Sequence, residues 1–123
     1  LFERECQFFR GRPGPSPTRQ LAATFEGPGR AVQCAMALMA IARQLRIPAR
    51  SGVHIGEFDM NCSETPLVNA AAATASAADV HGVTASRAVI DLLAGTGFSF
   101  ADRGLVSQEG SRDLNVFAVR QIG

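Results

Sequence analysis

The chain has 123 residues, enough for one domain, and folding at that size buries roughly two-thirds of the surface the unfolded chain exposes. Its 46% hydrophobic and 19% charged content is that of an ordinary globular protein and argues against disorder. A net charge of +1 argues against a dedicated nucleic-acid surface, because phosphate binding shows as a strongly basic domain or stripe.

Every basic residue is Arg and none is Lys, which points to a GC-rich, bacterial source. Cys6, Cys34 and Cys62 are odd in number and widely spaced, so neither a disulfide framework nor a CxxC metal clip is suggested. A reduced, cytoplasmic protein is expected. The longest apolar run, Ala31 to Ala42, is interrupted by Gln33 and falls short of the ~20 residues a membrane span needs. Glu3, Arg4 and Glu5 break any signal-peptide core. The chain opens on Leu1, as an excised fragment or a processed product would.

Phe2, Cys6 and Phe9 lie on one helical face, which predicts a short amphipathic helix from Phe2 to Arg10. Gly11 to Thr18, GRPGPSPT, holds three prolines and two glycines and reads as a flexible loop. Gln20 to Phe25 is a strand candidate, and Pro28 then opens a helix running to about Leu45. Its expected core stripe is Ala31, Cys34, Leu38, Ile41 and Leu45, with Pro48 as the stop. Arg50 to Ile55 and Glu57 to Asn61 read as a hairpin turning at Gly56. Pro66 to Asp79 is an Ala-rich helix suited to close approach at a site or interface. Val83 to Ser86 reads as a strand, Ser86 as the cap of a helix from Arg87 to Ala94, and Phe98 to Val106 with Leu114 to Arg120 as a closing hairpin. Together these predict a single α+β domain, a ferredoxin-like sandwich with helices against one face of an antiparallel-rich sheet.

The order TFEGPGRAVQCAMAL, RSGVHIGE, TPLVNAAAAT and TASRAVIDLLAGTGFSFADRG, from Thr24 to Gly104, resembles the catalytic domain of class III adenylate and guanylate cyclases. Arg50 to Glu57 looks like the family's R-x-G-[LIV]-H-x-G-E segment, and Phe100 to Gly104 like its F-x-D-R-G segment. Both are expected to be structural. Phe2 to Gly11 resembles the end of the helix before the family's first hairpin, so the family's opening strand would lie upstream of Leu1.

The resemblance implies what an active chain would need. Cyclisation of a nucleoside triphosphate uses two divalent cations held by two aspartates. The first aspartate belongs to the opening strand. The second sits in a segment with which Thr18 to Phe25 aligns, and there Arg19 takes its place, a permanent cation that repels Mg²⁺. Where adenylate cyclases of the family carry a Lys and an Asp for the base, this chain has Pro15 and Cys62, which offer neither donor nor carboxylate. The family's N-x-x-x-R pair for ribose and phosphate is here Asn69 and Ala73, four residues apart on one helical face. Pro15, Arg19, Cys62 and Ala73 are therefore degenerate family positions, and Asn69 alone keeps its ribose-contacting identity.

Other residues have plain readings. His54 is expected to be structural, and His81 to be an exposed turn residue. Glu57 and Asp59 alternate on one strand face but lack a third metal ligand, and Cys62 is expected to be an inert small residue. Asn69 suits a ribose-like contact and a local backbone brace equally.

No catalytic residues, metal or cofactor are expected. The implied function is a catalytically inactive cyclase-like module that regulates or dimerises in cytoplasmic signalling. Its expected partner is a second copy or a related cyclase-like domain, with no nucleic acid and no membrane. Two alternatives stand beside it: metal-independent binding of a nucleotide or small anion, with Arg19 adding positive charge, and residual cyclase activity.

Overall fold

A computed structural model of the protein describes residues 2–13, 21–56, 65–108 and 112–121. In chain order the elements are α1 (Phe2–Phe8), β1 (Arg12–Pro13), β2 (Ala23–Thr24), α2 (Pro28–Gln44), β3 (Ser51–Val53), α3 (Thr65–Ala75), β4 (Val83–Ser86), α4 (Arg87–Leu93), β5 (Phe98–Val106) and β6 (Leu114–Gln121). β3, β4, β6 and β5 form a four-stranded sheet in that order, and β1 pairs with β2 in a separate two-stranded ribbon. β3 and β4 run parallel with α3 as their crossover, while β4 with β6 and β5 with β6 are antiparallel. The α+β class and the antiparallel-rich sheet follow the expectation.

The register sorts the two sheet faces. Ser51, Val83, Val119 and Phe100 align across the strands, as do Val53, Ala85 and Phe117 two residues on. On this face Val53, Val83, Ala85 and Val119 meet Val32 and Ala35 of α2 and Val89 and Leu93 of α4 in one core. Val32 and Val89 are fully buried, each contributing about 1.5–3 kcal/mol. Gly52, Thr84 and Ala118 point to the other face, where α3 packs. The helices thus cover both faces of the sheet rather than one, because the β3–α3–β4 crossover needs its own side of the sheet to pack on.

The stripe of α2 differs from its expected face. Leu45 is 55% exposed, and Leu38 and Ile41 are only half-buried. Ala31 of that stripe does pack on the sheet core, joined by Val32, Ala35, Met36 and Met39, while Cys34, buried as expected, turns toward α1 and meets Cys6. Apolar residues surround this helix, so periodicity alone cannot say which arc faces which neighbour. The helix ends before Pro48. Arg46 takes a left-handed φ of 58°, the Ile47 amide donates to the Ala42 carbonyl and the Arg46 amide to that of Arg43, a Schellman termination.

Local pairing refines three other expectations. Arg12–Pro13, inside the segment read as a loop, forms the ribbon with Ala23 and Thr24. Pro13 has no amide hydrogen to extend that ladder. Residues 14–18 of the loop lie outside the described residues, as does the second strand of the hairpin expected after Gly56. The closing hairpin forms as expected, with β6 ending at Gln121 and a register shift between Asp102 and Leu105.

Candidate functional site

α3 carries the residues on which the functional reading turns. A Cβ on Gly52 would overlap the Ala71 carbonyl oxygen and the Ala75 amide nitrogen, so only glycine lets the helix seat this low on β3. Thr84 Oγ1 donates to the Thr74 carbonyl at 2.5 Å, and the fully buried Thr74 hydroxyl donates to the Ala70 carbonyl at 2.8 Å. The tight approach suited to this Ala-rich helix is therefore made to its own sheet. Away from the sheet, Asn69 is exposed and Ala73 half-buried, one turn apart. The Asn69 amide makes no hydrogen bond among the described residues, and the Ala73 methyl carries neither donor nor charge.

β3 leads into His54, whose Nδ1 shares a 2.8 Å hydrogen bond with the hydroxyl of Ser86 at the end of β4. Ser86 stands at the N-cap of α4, as expected, yet its hydroxyl makes no cap bond and serves His54 instead. Burial lowers the imidazole pKa and so favours the neutral ring. Ser86 is 1% exposed and no carboxylate bonds the ring among the described residues, so the pair lacks the access and the orienting acid of a nucleophilic dyad. It braces the β3–β4 junction, a structural histidine. His81 corrects the reading as a plain exposed turn residue. It is half-buried with φ 63°, its Nε2–H donates to the Ile47 carbonyl at 2.8 Å, and its backbone amide donates to Ala49 at 2.7 Å.

The Phe100 to Gly104 segment is also a structural device. Asp102 Oδ1 accepts from the Gly104 amide at 2.8 Å and from Asn115 Nδ2 at 3.0 Å, bracing the bulge where Gly104 has φ 87°. Arg103 reaches Asp79 at 2.6 Å and ties β5 to the loop after α3.

Pro15, Arg19, Glu57, Asp59 and Cys62 lie outside the described residues. Of the site positions, the structure places Asn69 and Ala73, and puts them on one helical face. Among the described residues no three His, Cys, Asp or Glu side chains converge to hold a metal ion, so the two cations of cyclase chemistry find no fitting ligand set among them. No helix among them is long and apolar enough to cross a membrane. Sequence reasoning missed Ser86 as the partner of His54. The alternation of β3 and β4, which puts both on the α3 face, was the available signal.

No protein-family model and no curated protein matches the sequence. Solved structures do. An adenylate/guanylate cyclase/hydrolase from Silicibacter pomeroyi superposes with a TM-score of 0.81 at 19% identity, over 97% of this chain and 78% of that one. The chain has the class III nucleotide cyclase fold. Two further cyclases agree. The guanylate cyclase domain of RhGC from Catenaria anguillulae, solved in complex with GTP, gives a TM-score of 0.74 at 14% identity over 99% of this chain and 79% of that one. The adenylyl cyclase CyaB from P. aeruginosa gives 0.73 at 17% identity over 99% and 80%. At these identities the likeness concerns the cyclase fold, and function has to be argued from the site.

Proposed function

We propose that this cyclase-fold chain is a catalytically inactive module that regulates or dimerises in cytoplasmic signalling. The observation that carries the reading is the outward face of α3, where Ala73 stands one turn from Asn69 in the place of a phosphate-binding Arg. Without that guanidinium the charge-assisted contacts to a transferring phosphoryl group are lost. Arg19, at the place of a metal-binding Asp, removes the second requirement, and Pro15 with Cys62 the third, base recognition. Loss of the metal and phosphate groups together also argues against complementing an active partner, which would need one set or the other from this chain. The test is turnover of ATP and GTP with Mn²⁺ at high protein concentration. Formation of either cyclic nucleotide above a protein-free blank overturns the inactive reading, and sedimentation as a strict monomer at high concentration overturns the dimerising one.

A second reading is a metal-independent binding site for a nucleotide or small anion. It is supported by the exposed Asn69 amide, which has no intramolecular partner among the described residues. Calorimetric titration with ATP, GTP and their cyclic forms, with and without Mg²⁺, decides it. Absence of heat with all of them ends that reading.

A further inference from the structure

Where β4 begins and β6 ends, beyond the C-terminal end of α3, the surface opens into a recess of about 570 Å³. Met36 and Met39 of α2 supply apolar lining, and Arg43 and Arg120 line it as well. Neither guanidinium has a carboxylate partner among the described residues, and the acidic residue of the lining, Asp79, is held by Arg103 at 2.6 Å. The recess therefore carries a positive surplus over a lining of mixed polar and apolar groups, with Met36, Met39 and Val80 among the apolar side chains. Its apolar part extends onto the surface, since Val80 of the lining is 50% exposed and Ile47 52% exposed. The bond from His81 to the Ile47 carbonyl holds the loops carrying them together.

We propose that this recess is a docking site for an acidic amphipathic helix of a partner protein. Methionine thioethers adapt to aliphatic anchors of varied shape, a helix offers such anchors on one face, and its Glu or Asp residues match Arg43 and Arg120. Exposed apolar side chains rimmed by polar ones mark interaction sites, and the unmatched arginines set the sign of the partner through charge complementarity. Concavity favours inserted side chains over a flat lipid surface. The inference is independent of whether the chain has lost catalysis.

The experiment titrates the full chain with a fluorescein-labelled Leu/Glu amphipathic peptide. Controls are the same peptide with Lys for Glu, a scrambled Leu/Glu peptide without a helical stripe, and phosphatidylglycerol vesicles. The acidic amphipathic peptide is expected to bind about tenfold or more tighter than either control peptide. It is expected to shift the amide resonances of Arg43, Val80 and His81. Arg43→Glu and Val80→Glu, both exposed and outside the α3 site, are each expected to weaken it about tenfold while leaving the circular dichroism spectrum and Tm unchanged. No binding, equal binding of the Lys peptide, or full binding by both variants overturns the proposal. Vesicle binding lost in the same variants, with no peptide preference, overturns it in favour of a lipid surface.

Discussion

His54 Nδ1 and the Ser86 hydroxyl stand 2.8 Å apart, joining the residue that follows β3 to the last residue of β4, the N-cap of α4. This bond gives a histidine inviting to a reader of active sites a structural task. Replacing His54 with Ala leaves the Ser86 hydroxyl buried without its partner, at an expected cost of about 1–3 kcal/mol, read from the urea midpoint. Ser86→Ala leaves a half-exposed imidazole that water can reach, so its cost is expected to be smaller.

The same imidazole makes stability depend on pH. Burial lowers its folded pKa below the ordinary 6.5, so the unfolded chain takes up a proton first as pH falls. The native state then binds fewer protons than the unfolded state, and stability falls as pH drops from about 6.5 through the folded pKa. Comparing wild type with His54→Gln over that range isolates the effect. Parallel curves for the two proteins would sink it.

Cys34 works at the other end of the scale. Burial, with Cys6 beside it, pushes its thiol up to about 12. Between the ordinary value of 9.0 and that figure the unfolded chain loses a proton that the folded chain keeps, so stability is complete below the first value and declines as pH rises toward the second. Cys34→Ala is expected to flatten the alkaline limb of the midpoint-against-pH curve, whatever it costs at neutral pH. A limb of unchanged slope in the variant counts against this account.

Gly52 is the contact point of α3 with β3. A methyl there meets helix backbone rather than a flexible side chain, so Gly52→Ala is expected to cost about 1–3 kcal/mol or more. Gly27, whose added Cβ meets nothing within 4 Å, is the steric contrast, and Gly27→Ala is expected to cost only the weaker N-cap of α2, about 1 kcal/mol or less, both read from the urea midpoint.

Two neighbours in one motif separate geometry from charge. Asp102 holds the bulge through two hydrogen bonds, and Asp102→Ala is expected to cost about 1–2 kcal/mol. Arg103 pairs with Asp79, whose side chain is 71% exposed, and Arg103→Ala is expected to cost about 1 kcal/mol or less. The reverse order in thermal melts would contradict this assignment.

Much of the fold was legible before any coordinates. The closing hairpin, the strand Val83 to Ser86 and the helices starting at Phe2, Pro28 and Arg87 sit where alternation, helical spacing and proline position put them. The shared face of Asn69 and Ala73 was legible too, because four-residue spacing needs only a helix. That position 73 holds Ala is a matter of residue identity, so the residue on which the proposed function rests is read from the sequence itself. Local patterns carry this information because hydrogen-bond period and side-chain chemistry act over a few residues.

What lies far apart in the chain was left to tertiary structure. Which arc of α2 faces the sheet, why α3 takes the opposite face, and that the Ser86 hydroxyl serves His54 rather than its own helix all depend on contacts between distant segments. A hydroxyl at an N-cap has a local partner in every sequence, and the bond it makes is decided by which competing donor or acceptor folding brings within reach. The recess carrying Arg43 and Arg120 has the same origin, since the two residues come from a helix and a strand that become neighbours only when the sheet closes.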